Sequence, residues 1–597
     1  MSDITIVSNE ITYDIRCDGS YTVDEYLMMR LNTDRAVQQY AQFPLRYSRS
    51  MERVDVIEAC TVTASGDRIS VLSDGMITQQ SIQSATAPMY DDGEVLSIVF
   101  PAVSVGALMT LRYRRERHRP MFAGHFSALE VFRTSIDYES AVLSVRAPAE
   151  MRLHFEAIDI DGGRQADTSA GQQYWRWTLG KQEAEHVLAF SPADNDVSPR
   201  VAMTSFDDYD TVAATYRLNA QAAGAVTETI RELAEQITRG IVERRAQAQA
   251  LYHWVCANVR YVAVHYAEGG VVPHAADAVL RNRYGDCKDQ VVLFEALLAV
   301  KGIASSAVLV NSENTYWVPS VAAPLPIFNH AVTWLPEWNC FLDSTAGLAE
   351  FGVLPPPLLG KTALVIDRGD GRGELRRLPV SGPETDRIDV VTRLVLEPDE
   401  TVRGSSEIDS TGVFSFGARQ TFAALAPGMG PQMAAQWLTV SGESGEGDYQ
   451  TTSVFDLTTP LHYFTHFVLP EYTPLPGPAG MPVPTGLGSV DGIVSMLYQF
   501  SQPTRTRALI FHARRITETI DFEFPLALKL TAVPRSEEIV DKPGWYRSTI
   551  YVKGNTVHIR RELVIDLPGP LIEPADYPAI RRFIRSIKRN QRTQFIY

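Results

Sequence analysis

One stretch narrows more than any other what this chain can fold into: Tyr284-Gly285-Asp286-Cys287-Lys288-Asp289, followed by an apolar run to Val300. It reads as a tight turn that opens straight into a helix. Gly285 supplies the turn, Asp286 is a good N-cap, and Asp289 falls in the first turn, where a carboxylate suits the helix dipole. The helix is expected to run to Lys301, with Gly302 as its stop. Cys287 then occupies the first helical position, beside free backbone N–H groups. That is where a thiol gives up its proton most readily.

The texture on either side differs. From 1 to about 205, short runs rich in Val, Ile, Thr and Tyr recur, among them Ile4–Val7, Tyr21–Leu31, Val54–Ala64 and Leu108–Tyr113. Turn signals such as Asp18-Gly19 and Asp161-Gly162-Gly163 separate them, which predicts a β-sandwich-like domain. The basic cluster Arg112–Arg119 overlaps a strand end and reads as a solvated loop or edge. From 220 to 375 helical runs (Ala223–Gln236, Val242–Val259, Ala275–Arg281) alternate with strand-like ones (Arg260–Tyr266, Ser306–Val310, Ala331–Leu335, Cys340–Asp343), the pattern of an α+β core. From 385 to 597 the pattern is β-rich again. Strands are expected at Ile388–Leu396, Ala527–Val533 and Ile559–Ile565, helices near Phe414–Leu425 and Pro431–Val440, a loop over Glu471–Gly488, and a solvated or packed terminal helix at Tyr577–Gln591. The fold class is therefore multidomain α+β.

At 597 residues the chain exceeds one core. Its net charge of −16 argues against nucleic acid as a general partner. Five cysteines, at 17, 60, 256, 287 and 340, form no Cys-x-x-Cys pair and no disulfide framework, although Cys17 and Cys60 share a domain. No membrane span and no export signal is legible as written, which predicts a cytoplasmic protein, or a periplasmic one if the sequence is a mature fragment. Oligomeric state is not encoded legibly.

Downstream of Cys287 comes Ile327-Phe-Asn-His330-Ala-Val-Thr-Trp334-Leu-Pro336-Glu-Trp338-Asn-Cys340-Phe-Leu-Asp343-Ser-Thr345. Two strand-like runs flank the turn at Pro336–Asn339. In such a hairpin His330 pairs with a residue between 343 and 345, so Asp343 lies opposite or diagonal to it. A carboxylate there can accept the proton of one imidazole nitrogen and leave the other free to take the thiol proton. The 43 residues between Cys287 and His330 are ample to fold the hairpin back.

YGDCKD leading into an apolar helix, then NHAVTW, then FLDST, resembles the transglutaminase-like superfamily in its bacterial branch, which shares papain-like Cys-His-Asp chemistry. The Asp-Gly turns, the stretch Val54–Leu72 and Ile98-Val-Phe-Pro-Ala-Val-Ser-Val-Gly106 resemble DUF3857, a domain that commonly precedes such a core. The resemblance implies Cys287 as nucleophile, His330 as general base and then acid, and Asp343 as the orienting group. The backbone N–H of Cys287 would be one oxyanion donor. His265 and Tyr261, on the strand before the helix, are candidates for the second.

The resemblance and these residues together predict a cysteine enzyme acting on amide bonds of a peptide or protein through an acyl-enzyme, by hydrolysis or by transfer to an amine, without a cofactor or metal. The alternatives are an amide-forming acyltransferase with a thioester donor, a non-catalytic protein-binding scaffold, and a zinc site from Cys287, His330, Asp343 and His265 or His274. Cys256, Cys340, Trp254, Trp334 and Trp338 read as packing residues, and His253 and His274 as ordinary surface or packed histidines.

Overall fold

The computed structural model describes residues 2–81, 92–166, 171–262, 272–488 and 492–597. The chain forms two compact units: Met1–Val187 with Pro192–Thr345 and Lys361–Arg377, and Leu188–Ser191 with Ala346–Gly360 and Leu378–Tyr597.

The first unit starts with a large mixed sheet. Its strands are β1 (Ile4–Ile15), β2 (Tyr21–Leu31), β3 (Glu52–Val62), β4 (Arg68–Ser70), β5 (Leu108–Arg117), β6 (Ala141–Pro148), β7 (Asp161–Arg164) and β8 (Gln172–Leu179), in the order β7-β8-β6-β1-β2-β5-β3-β4. Alternation shapes this sheet: Ile11, Tyr13 and Ile15 of β1 point inward while their neighbours face out. Two three-stranded sheets close the core, contributing Leu45 and Ile98 from one and Ala128, Val201 and Met203 from the other. The basic cluster departs from expectation. Strand β5 continues through Arg117 and lies inside the sheet, between β2 and β3. Cross-strand carboxylates make that possible: Asp24 pairs with Arg114 at 2.9 Å, and buried Glu52 with Arg115 at 3.2 Å and Arg117 at 2.8 Å.

The remainder of this unit is α+β. Helices α1 (Tyr209–Gln221), α2 (Glu228–Ile237), α3 (Arg244–Asn258), α4 (Ala276–Asn282) and α5 (Cys287–Val300) accompany a five-stranded sheet. Its strands are β9 (Ser306–Val310), β10 (His330–Leu335), β11 (Cys340–Leu342), β12 (Thr362–Val365) and β13 (Glu374–Arg377), in the order β11-β10-β9-β12-β13. The helix expected from Ala223 starts later. Thr227 caps α2, and a separate helix, α1, capped by Asp208 on Thr211 N at 2.7 Å, precedes it. Of the strand expected at Arg260–Tyr266, Arg260–Tyr261 pairs with Tyr284–Gly285; residues from 263 on lie outside the described ones.

The second unit is built on an eight-stranded sheet: β14 (Arg387–Leu396), β15 (Val402–Ser410), β16 (Glu446–Thr451), β17 (Leu461–Leu469), β18 (Arg514–Glu523), β19 (Glu537–Asp541), β20 (Gly544–Lys553) and β21 (Thr556–Ile565). The order is β16-β17-β15-β14-β18-β21-β20-β19, with the β14–β18 pair parallel. Helices α6 (Val413–Ala424), α7 (Gly430–Val440) and α8 (Tyr577–Gln591) cover it. Helix α8 is packed, burying Ile580, Phe583, Ile584 and Ile587. Ala527–Val533 is not a strand; only Ala532 forms an isolated bridge, to Ile596. Leu528, Leu530 and Val533 still pack against the apolar core, without strand pairing. The Glu471–Gly488 loop contains one short strand, Gly480–Pro482, paired with Gln594–Ile596. No helix among the described residues is long and apolar enough to cross a membrane. None of the five cysteines, all among the described residues, is in a disulfide.

Candidate functional site

The start of α5 is locked by reciprocal capping. Asp286 Oδ1 accepts from Asp289 N at 3.1 Å, and Asp289 Oδ2 accepts from Asp286 N at 3.1 Å. Position 285 must be glycine for this: a Cβ there would lie 2.6 Å from the Asp289 Cβ. The remaining carboxylate capacity is spent as well. Lys288 Nζ donates to Asp286 Oδ2 at 2.6 Å inside the core, and Asp289 accepts from the backbone N (2.8 Å) and Nδ1 (3.1 Å) of His274. Burial pushes the Asp286 carboxyl up. Asp289 is buried too, but its bonds from His274 outweigh that and hold it below the usual range. The net result is a rigid helix start with Cys287 at its first position, 6% exposed.

The hairpin supplies the partner groups. Its register (Thr333↔Leu342, Leu335↔Cys340), if continued, sets His330 opposite Thr345; the ladder stops at Leu342, and Asp343 lies diagonally across on the same face. His330 Nε2 meets Asp343 Oδ2 at 2.9 Å. Asp343 Oδ1 accepts from Thr345 N at 3.0 Å and Thr345 Oγ1 at 2.7 Å, and its backbone carbonyl accepts from the Tyr252 hydroxyl of α3 at 3.1 Å. Cys287 lies near enough to the imidazole to act on its charge. Thus the structure brings Cys287, His330 and Asp343 together.

The electrostatics favour a charged imidazole. Burial works against the cation, but the Asp343 carboxylate, its hydrogen bond and the Cys287 sulfur outweigh it and raise His330 to about 10. Asp343 is fully buried, yet His330 and Thr345 hold its carboxyl below the ordinary range. At neutral pH His330 carries a proton on each nitrogen, donating one to Asp343.

Cys287 shares one apolar cluster with Phe122 and Phe206, from the first half of the unit, and with Val291, Ile327, Phe328 and Ala331. Tyr261 is drawn in by the pairing of Tyr261 with Gly285. Its ring is 40% exposed, and burial of its hydroxyl end together with the charges of Cys287, Asp286 and Asp343 pushes the phenol up. His265 lies outside the described residues. Sequence reasoning missed Tyr216 of α1. It is 2% exposed, packs in the Cys287 cluster, and its hydroxyl has no hydrogen-bond partner among the described residues. It also missed Thr345 and Tyr252. Thr345 was in reach: a hydroxyl two residues past an aspartate is a familiar Asx partner. Glu295, on the same helix as Cys287, is pushed to about 8 by burial. Among the described residues no group of three or more His, Cys, Asp or Glu side chains is set to hold a metal ion. Trp334 (5% exposed) and Cys340 are buried, whereas Cys256 is half-buried.

Three family profiles match the sequence: DUF3857, a domain of unknown function, over residues 17–185; the transglutaminase-like superfamily over 231–326; and DUF3858, also of unknown function, over 493–597. The second match includes Cys287 and stops short of His330 and Asp343. No curated protein matches the chain. Among solved structures, one from Parabacteroides distasonis, described as a "putative protease", is similar over 99% of both chains, with a TM-score of 0.72 at 14% identity. That likeness is one of fold. An M1 zinc metallopeptidase from Deinococcus radiodurans matches 34% of this chain and 42% of its own, at 11% identity and a TM-score of 0.19, too slight to carry an argument.

Proposed function

From the premise that this chain is a transglutaminase-like superfamily protein with an N-terminal DUF3857 domain, we propose that it is a cysteine enzyme cleaving or exchanging amide bonds of a peptide or protein. The observation that supports this is the chain of contacts Asp343–His330–Cys287 at a capped helix start. Cys287 Sγ, its proton passed to His330 Nδ1, attacks the amide carbonyl, forming a C–S bond and a tetrahedral oxyanion. The N–H of Cys287 faces that oxygen. His330 then delivers its Nδ1 proton to the leaving nitrogen as the C–N bond breaks, which leaves a thioester on Cys287 and a neutral imidazole. Water, activated by that imidazole, or an amine resolves the thioester. Because His330 is already protonated at neutral pH, the acid step is prepared before substrate arrives. Asp343 keeps the ring oriented and its cation stable throughout.

Of the two outcomes we favour hydrolysis, with Cys287 6% exposed and set among apolar side chains. The test is iodoacetamide labelling followed by peptide mapping at neutral pH. Cys287 should label faster than the other four cysteines, and His330→Ala should slow it at least tenfold. Labelling of Cys287 at a model thiol's rate, unchanged in His330→Ala, would remove the catalytic reading.

A further inference from the structure

The buried face of the eight-stranded sheet is apolar above and below one line. Along β14 the inward residues are Ile388, Val390, Thr392, Leu394 and Leu396; along β18 Ile516, Glu518, Ile520 and Phe522; along β21 Ile565, Leu563, Arg561, Ile559 and Val557. Strands β15, β17 and β20 contribute Ser406, Thr465 and Ser548 at the matching place. The pairs Thr465↔Ser406, Ser406↔Thr392, Glu518↔Arg561 and Arg561↔Ser548 are in register, and the line steps by one inward position where β14 meets β18. Six neighbouring strands therefore each replace an apolar side chain by a polar one on one transverse row, every member at most 6% exposed. The row splits the core into two separate apolar clusters. A fold under no other demand would fill such positions with Val or Leu.

A cavity lies over the middle of that row. A chamber of about 40 Å³ is floored by Thr392, Glu518 and Arg561; Val483, Thr485, Val494 and Gln591 line it and also a neighbouring pocket of about 590 Å³ whose mouth carries Tyr498, Lys588 and Arg592. The combined space suits a small ligand. Its chemistry can be read from what is left unsatisfied. Glu518 is engaged by Ile493 N at 3.0 Å and Arg561 at 3.6 Å, Thr392 by Ser406 at 2.9 Å, and Glu443 in the outer wall by the backbone N of Thr485 and Gly486 at 2.6 and 2.9 Å. The buried Nε–H of Arg561 has no partner among the described residues. The floor thus holds the Arg561 guanidinium beside Glu518, the mouth carries two further cations, and Val390, Ile520, Val483 and Val494 supply apolar walls.

We propose that this cleft is a binding site for a carboxylate with an apolar body, its carboxylate on Arg561 and its body against the valine walls. Two sources share that chemistry: a free acid such as an N-acylated amino acid, and the C-terminal residue of a peptide. The cleft acts independently of Cys287.

Isothermal titration of the full chain tests it with N-acetyl-L-leucine, its amide, the tripeptide Ala-Ala-Leu and the tripeptide amide. At least one carboxylate should bind at one site per chain, with its amide at least tenfold weaker. Binding of both acids assigns peptide ends, and binding of N-acetyl-leucine alone assigns small acids. Lys588→Ala/Arg592→Ala, on the exposed mouth, should weaken binding about tenfold, Arg561→Gln should abolish it, and Cys287→Ala should leave it unchanged. If Arg561→Gln does not fold, the mouth variant still decides. No saturable binding, equal binding of acid and amide, or binding unaffected by the mouth variant would overturn the proposal.

Discussion

The start of α5 and the sheet of the second unit both bury ions, and they do it differently. At the start of α5 contacts are short and saturated: Lys288 to Asp286 at 2.6 Å, His330 to Asp343 at 2.9 Å, with Thr345 and His274 absorbing the remaining lone pairs. Across the second unit's sheet the Glu518–Arg561 contact is 3.6 Å and a guanidinium N–H stays idle. The first arrangement uses its charges on one another, so that geometry is fixed and reactivity is confined to one sulfur and one imidazole. The second keeps capacity in reserve, which is what a recognition surface requires.

Breaking the saturated network should have the largest effect. Cys287→Ala should end turnover of any amide substrate, and Asp343→Ala should lower kcat/KM about a thousandfold, since the imidazole loses both orientation and its counter-charge. Steady-state kinetics with a peptide substrate decides this. Next comes stability. Asp286→Ala strands a buried ammonium and removes a cap, for about 3–5 kcal/mol in urea denaturation, whereas Glu518→Gln, opposite the looser partner, should cost about 1–2 kcal/mol. If the two cost the same, the contrast between the regions fails. The double change Asp286→Ala/Lys288→Met should recover part of the loss, because the uncompensated charge goes with it.

The pH dependence sharpens the same point. His330 rises from 6.5 to about 10, so its stabilising contribution is complete below pH 6.5 and disappears as pH climbs through 10. Glu295 rises from 4.5 to about 8 through burial, so it too destabilises as pH increases, between those two values. Denaturation midpoints should therefore fall from pH 6 to pH 9, and Glu295→Gln should flatten that slope. A midpoint that rises with pH would contradict both assignments. The basic limb of kcat/KM should lie near pH 10 and move down in Thr345→Val, which weakens the hold on Asp343. The smallest effect belongs to the polar row: Thr465→Val should change stability by less than about 0.5 kcal/mol or improve it, as its hydroxyl has no partner among the described residues.

How much the sequence discloses depends on how local each feature is. The α5 cap, the hairpin turn and the closeness of His330 to Asp343 depend on neighbours within about fifteen residues, and spacing arithmetic reaches them. Tyr216 was out of reach because Tyr209–Gln221 has little apolar periodicity and its packing against Cys287 spans the whole core. The polar row was illegible for a stronger reason. Thr392, Glu518 and Arg561 look like ordinary strand residues until the registers of six strands, set by turns far apart in the chain, put them on one line. The expected strand at Ala527–Val533 failed for the converse reason: local alternation that meets a neighbouring strand at a single bridge, Ala532 to Ile596.

Phe122 and Phe206, edge to face at 5.4 Å, belong to the same apolar cluster as Cys287 and come from a part of the chain that leaves the ribosome before Cys287 does. Synthesis therefore delivers Cys287 to a core whose other part is already made. The same order sets a rule for dissection: a fragment beginning at the transglutaminase-like match would lack these two rings and leave the rest of the cluster open to water.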